Sequence, residues 1–203
     1  MRGILPNSRR IRVNSKGGVA RRIGRRPIGS LLLLVLATPA IAQVAPVGEG
    51  VKAEYLAELA VAEDHFVRLA EAIPADLYQW RPGSGVRSVS EVLLHVAGSN
   101  FNMPRALGFA PAAGMVDRDY QTSETEKVRV VEMLKESFVF LHQSLEGFTP
   151  EDAERRIDWF GGENTFRGAL FFMTRHTGEH TGQLVAYARI NGIVPPWTAD
   201  AGS

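Results

Sequence analysis

From residue 51 onward, apolar side chains recur every three or four positions in four separate stretches, the pattern of four amphipathic helices. The first stretch covers about 51–73. Tyr55, Leu59, Ala62, Phe66, Leu69 and Ile73 form its inward stripe, and Pro74 ends it. A turn-rich segment built around Trp80-Arg81-Pro82-Gly83-Ser84-Gly85 follows. The second helix opens at Ser88, where Ser88-Val89-Ser90-Glu91 spells a capping box, and Val89, Val92, Leu93 and Val96 give it an apolar side. It is expected to stop near Met103-Pro104, before a loop rich in Gly, Ala and Pro over about 105–121. The third helix is expected over about 123–145, with Ser123 and Glu126 offering a second capping box and a stripe through Val130, Leu134, Phe138, Leu141 and Leu145. Residues 151–164 are acidic and then loop through Gly161-Gly162. The fourth helix starts near Asn164-Thr165 and reaches about Ile190; Asn191-Gly192 is its C-cap signal, and Pro195-Pro196 is expected to bar a restart. No alternating strand pattern stands out. The chain therefore reads as all-α, a four-helix bundle over residues 51–197 with a tail over 198–203.

The first 42 residues follow a different logic. They carry nine basic residues and no acidic one, then the apolar run LLLLVLATPAIA, which closes on Ala40-Ile41-Ala42. A basic lead, a short apolar stretch and a small-x-small ending are the parts of a cleavable export signal. The run is shorter than the roughly 20 apolar residues a membrane-spanning helix needs, and Pro39 interrupts it. Cleavage after Ala42 would leave a flexible lead-in over 43–50, then the bundle, in an exported, periplasmic or secreted protein with no stable membrane insertion.

That division changes the charge argument. The whole chain has 23 basic and 22 acidic residues, but without the first 42 it holds 14 against 22, a net charge of −8. The apparent basicity belongs to the export segment, and an acidic mature domain argues against nucleic acid as a partner. There is no cysteine. Disulfides, lipid attachment and thiolate ligands all drop out, so a metal ion would have to be held by His, Asp or Glu.

The candidate chemistry lies in the histidines. His176 and His180 sit four residues apart, one turn apart on one helix face, so both imidazoles can reach one ion. They lie amid Ala169, Phe172, Met173, Gln183, Leu184 and Tyr187, on the side expected to face the core. Two readings stay open for the pair: core histidines satisfied by hydrogen bonds, or metal ligands. His95, on the second helix, shares its face with Ser88, Ser99 and Asn102, and alone reads as a boundary residue. His65 falls about 80° from the inward stripe of the first helix and His142 flanks Leu141; both read as boundary positions. His176-Thr177-Gly178-Glu179-His180 matches the H-x-x-E-H pattern of inverted zinc peptidases. That pattern needs a downstream acidic ligand, and Asp200 is the sole carboxylate side chain after His180, so the peptidase reading is set aside.

The ordered set resembles the DinB family, the DinB/YfiT-like metalloenzyme superfamily. Its parts are a helix ending in Pro74, Trp80-Arg81-Pro82 before a capped helix bearing His95, and a closing helix with His176-x-x-x-His180-x-Gly182-Gln183-Leu184 before Gly192 and Pro195-Pro196. The resemblance covers about 51–197. It implies a DinB-like four-helix bundle in which His95, His176 and His180 bind a divalent metal ion, zinc or nickel. Family members commonly carry arginine just after the last histidine; Thr181 stands there in this chain. Characterised relatives include thiol-dependent transferases and isomerases.

The leading expectation is an exported metal-dependent enzyme of thiol-transferase or hydrolase type, acting on a small molecule. Its ion would lower the pKa of a bound water or thiol, or polarise a carbonyl. Glu179, Glu91 and Tyr187 are the candidate proton carriers. Two other classes stay open: a bundle that binds metal or a small ligand without turnover, and a structural domain with vestigial histidines. A homodimer is open as well.

Overall fold

The computed structural model describes residues 50–110 and 119–201. Four long helices build the fold: α1 (Val51–Ala72), α2 (Val89–Ala106), α3 (Lys127–Leu145) and α4 (Phe166–Ile190). An antiparallel hairpin, β1 (Arg156–Trp159) and β2 (Gly162–Thr165), leads into α4, and a short helix, α5 (Pro196–Asp200), follows it. The chain divides into units at residues 43 and 44. The expected export segment over 1–42 and nearly all of the lead-in lie outside the described residues. Among the described residues no helix is long and apolar enough to cross a membrane.

The bundle is mostly helical, as the periodicity predicts. Leu59, Phe66 and Leu69 of α1, Leu134, Phe138 and Leu141 of α3, and Ala169, Leu170 and Leu184 of α4 are buried together. α2 packs against both α3 and α4 and is the most enclosed helix: Val92, Leu93, Leu94, Val96 and Ala97 are all fully buried, on more than one side. A buried polar pair joins α2 to α3, where Asn100 Nδ2 donates to Ser137 Oγ at 3.1 Å.

The start of α2 is over-determined. Ser88 Oγ accepts from the Glu91 amide at 3.3 Å and Glu91 Oε2 accepts from the Ser88 amide at 2.8 Å, the expected capping box. Arg81 then grips the same glutamate at 2.9 and 3.2 Å and the Val86 carbonyl at 2.9 Å, which fastens the loop at 81–87 onto the cap. The start of α4 is set by Thr165, whose hydroxyl accepts from the Gly168 amide at 3.0 Å. A Cβ at 168 would lie 2.2 Å from Asn164 Oδ1, so a side chain there would displace the Asn164 amide.

Four boundaries differ from the sequence reading. α2 continues through Pro104 to Ala106, because the missing proline amide falls in the final turn, where the Leu107 amide still reaches the Met103 carbonyl at 3.3 Å. α3 starts one turn later than expected. Glu124 Oε1 accepts from the amides of Thr125 and Glu126, which holds the chain in a turn, and Glu126 rather than Ser123 caps the helix through the Arg129 amide at 3.1 Å. Pro196 does not bar a helix but begins one, since a first-turn residue has no amide bond to lose. The segment expected to be a loop is a hairpin. Ile157 and Trp159 are buried between exposed Arg156 and Asp158, an alternation four residues long and too brief to register as a strand.

Candidate metal centre

α2 and α4 run past each other with their histidine-bearing faces together. His95 from α2 and His176 from α4 bring their Nε2 atoms to 3.2 Å, although they are 81 residues apart in the chain. The His180 ring lies 4.7 Å from each of the other two, centroid to centroid. One ligand-capable nitrogen from each of the three lies within 4.8 Å of the others, and all three rings are half-buried. Among the described residues they are the one group of three such side chains.

Two neighbours set the rings. His176 stacks on Phe172, one turn earlier, at 6.3 Å with an interplanar angle of 9°. His180 Nδ1 lies 2.9 Å from Gln183 Oε1. Gln183 Nε2 donates to Tyr187 Oη at 2.7 Å, and Tyr187 Oη donates to the Arg87 carbonyl at 3.0 Å. The chain of bonds has a direction. The Arg87 carbonyl can only accept, so Tyr187 donates to it and accepts from the Gln183 amide nitrogen. The Gln183 oxygen is thereby presented to His180, whose Nδ1 must carry the proton, and Nε2 keeps its lone pair for another partner.

The electrostatics keep the rings neutral. Burial, then the nearby charge of Arg87 and the other two imidazoles, push His95 down to about 4. Burial and then His180 push His176 down to about 4. Burial also lowers His180, while its hydrogen bond to Gln183 works the other way. Neutral imidazoles are the ligating form.

The donor set fits a borderline transition-metal ion: three imidazole nitrogens, with no thiolate and no carboxylate, suit zinc, nickel, copper or iron(II) better than magnesium or calcium. The 3.2 Å between two Nε2 atoms is close to the roughly 3.3 Å that a tetrahedral zinc ion would require of its nitrogens.

The cluster borders a cleft of about 480 Å³. Leu94, Met103, Ala106, Phe160 and Phe172 supply apolar wall; Ser99, Asn102, Tyr120 and Gln121 supply neutral polar groups; His95 and His176 stand at its edge. The hairpin turn brings Phe160 there. Phe160 and Gly161 have φ of 55° and 78°, the left-handed pair of a type I′ turn. Phe160 is 72 % exposed, and its ring sits 5.6 Å from that of Phe172 and 4.9 Å from that of Trp159. Trp159 Nε1 is buried with no hydrogen-bond partner. Sequence reasoning missed this wall; the one signal was Ile157 and Trp159 alternating ahead of Phe160-Gly161.

The other sequence candidates are occupied elsewhere. Glu179 is exposed and paired with Arg175, and its charge acts on His176 and His180 against the lowering by burial; Glu91 is held by Arg81 and the Ser88 amide. Tyr187 touches it only through Gln183. His65 stacks on Trp197 at 4.0 Å, which docks α5 on α1, and His142 Nε2 meets Glu63 at 2.9 Å. Thr181 lines a separate cleft between α1 and α4, with Tyr55, Ala62 and Thr177, and donates to the Thr177 carbonyl at 2.9 Å.

A helical bundle with three histidines gathered between two helices, beside a cleft, defines an all-α protein with a metal-capable centre. The family model of the DinB superfamily matches residues 58–184, and the chain belongs to that superfamily. Its fold is similar to that of a DinB-like protein from Bacillus cereus (TM-score 0.63, 15% identity, covering 70% of this chain and 93% of that one). It is similar to the DinB-like protein YjoA from Bacillus subtilis (TM-score 0.56, 26% identity, covering 68% and 92%). A conserved protein from Enterococcus faecalis shares the fold as well (TM-score 0.55, 16% identity, covering 70% and 97%). Among curated proteins none matches the chain.

Proposed function

We propose that the protein is a metal-dependent enzyme in which His95, His176 and His180 hold one divalent ion, zinc or nickel, and a small molecule enters by the adjoining cleft. The observation that carries this reading is the meeting of three neutral imidazole nitrogens within 4.8 Å, at the edge of that cleft. A structural site would be closed, whereas three protein ligands leave a coordination position for a substrate. The ion, when bound, supplies Lewis acidity. The chain's own residues do the rest. Gln183 keeps the proton of His180 on Nδ1, Phe172 fixes the plane of His176, and the apolar wall excludes water from the bound molecule. The reaction is a thiol-dependent transfer or a metal-assisted hydrolysis.

A second reading, a metal- or ligand-binding bundle without turnover, is favoured by one observation: the carboxylates of Glu91 and Glu179 are both engaged in ion pairs with arginine. Metal analysis of purified protein, followed by an activity screen with thiol acceptors, esters and amides on native protein and His95→Ala, separates the readings. Bound metal with a turnover that His95→Ala abolishes supports the enzyme. Bound metal and equal rates for both leave the binder, and no bound metal removes the enzyme and the metal binder alike, leaving a small-ligand binder.

We propose further that residues 1–42 direct export and are removed. The basic lead, the apolar run and Ala40-Ile41-Ala42 support this.

A further inference from the structure

We infer that the cleft selects an uncharged substrate carrying an apolar, ring-sized group, and that Phe160, on the hairpin turn, grips this group against Phe172 while the reacting end lies at the histidines. The inference rests on reading the histidine cluster as the reaction centre and names the class of molecule that centre would serve.

Three observations carry it. First, among the described residues the cleft wall holds no lysine, arginine, aspartate or glutamate. Away from the histidines, an ionic group would lose hydration without gaining an oppositely charged partner among these side chains. Arg87, whose charge reaches the imidazoles, is not part of the wall; its Nε donates to Gln121 Oε1 at 3.0 Å. Gln121 thus meets the cleft as a neutral amide. Second, the size suits a drug-sized or smaller molecule, since about 480 Å³ lies within the ordinary range of ligand pockets. Third, Phe160 stands where a fold alone would not put it. A type I′ turn favours Asn or Gly at its first position, and a bulky side chain at φ 55° is strained. Phe160 is 72 % exposed, so little of its apolar surface is buried in exchange. What the ring does have is a place in a row of aromatic rings, Phe160, Phe172 and His176, that ends at the cluster. Strain at an exposed aromatic beside a reaction centre points to a role in ligand contact. Phe160 is therefore a specificity-determining residue that touches the substrate, and no step of the reaction runs through it.

The test uses full-length protein freed of metal by chelation, so that it does not depend on activity. Calorimetric titration at neutral pH compares 2-naphthamide with 2-naphthoate and 2-naphthamidine, which carry the same rings with negative and positive charge, and with acetamide, which has no ring. The same titrations are run on Phe160→Ala and Phe160→Gly. The glycine variant keeps the left-handed turn without strain, so the hairpin survives loss of the ring. The expected result is that 2-naphthamide binds native protein at least about tenfold more tightly than the other three, and that both variants lose about tenfold of that affinity with unchanged melting temperature. Tighter binding of either charged probe, no saturable binding of 2-naphthamide, or equal affinity in the variants overturns the inference. Metal content of the same preparation before chelation is measured separately. A preference for the neutral ring without retained metal supports the cleft assignment and sinks the metal-enzyme reading. Retained metal without the preference does the reverse.

Discussion

Gln183 Oε1 lies 2.9 Å from His180 Nδ1, and this contact decides which nitrogen of that imidazole is free. The proton is held on Nδ1 by a chain of bonds anchored at the Arg87 carbonyl. Gln183→Leu removes the anchor and lets the ring choose its tautomer and orientation. Zinc affinity is expected to fall by about 10- to 100-fold, the usual cost of losing a hydrogen bond to a ligating histidine. Tyr187→Phe, which loosens Gln183 without removing it, should cost less. Competition titration against a chromophoric chelator measures both. Equal affinities in all three proteins would refute the anchoring role.

His95→Ala, His176→Ala and His180→Ala are each expected to abolish stoichiometric zinc binding while the helical circular dichroism stays native. All three rings are half-buried at the edge of the core, so truncation opens the cleft instead of emptying the interior. Elemental analysis after gel filtration reads the result. One bound zinc in any of these variants would contradict the ligand assignment.

The metal-free protein should lose stability as the pH falls from about 6.5 toward 4. The reason is the lowered pKa of the imidazoles, to about 4 for His95 and His176, against the ordinary histidine value of about 6.5 in the unfolded chain. Between these values the unfolded state binds protons that the folded state refuses, so protonation favours unfolding. Above about 6.5 both states are neutral and the contribution is fully present. Urea unfolding at pH 7.5, 5.5 and 4.5 should show this slope, and a variant with all three histidines replaced by alanine should show a shallower one. Parallel pH profiles would refute it.

Ser88→Ala removes half of the capping box that starts α2 and leaves the Glu91 amide without its acceptor. The expected cost is about 1 kcal/mol. Because His95 lies two turns further along the same helix, zinc affinity is the second measurement. A fall in melting temperature with unchanged zinc affinity is the expected outcome, since Arg81 and Glu91 still fasten the loop. An unchanged melting temperature would contradict the cap.

Export predicts a new N-terminus at Gln43 in protein recovered from outside the cytoplasm of an expressing Gram-negative host. N-terminal sequencing or intact mass decides it. Full-length protein confined to the cytoplasm would remove the export proposal.

Much of the fold was legible because each long helix is written locally. The α1 stripe through Leu59, Phe66 and Leu69 is buried as its spacing predicts, and the capping box at Ser88 forms as spelled. The hairpin was not legible. Its strands are four residues each, and its turn is Phe-Gly instead of Asn-Gly, so neither periodicity nor turn chemistry announced it. The histidines divide in the same way. The i,i+4 spacing of His176 and His180 is a one-helix fact, whereas nothing around His95 says which helix it will face.

The chain's own pattern thus determined four amphipathic helices, the cap that begins α2 and the pairing of two histidines on one face, because all of these depend on residues a few positions apart. Tertiary structure decided that His95 meets His176 across 81 residues, that Gln183 and Tyr187 fix the proton of His180, and that Phe160 lines the cleft while Thr181 lines a separate one. These depend on how α2, α4 and the hairpin pack, and packing is settled by the burial of many side chains at once rather than by any local run of sequence.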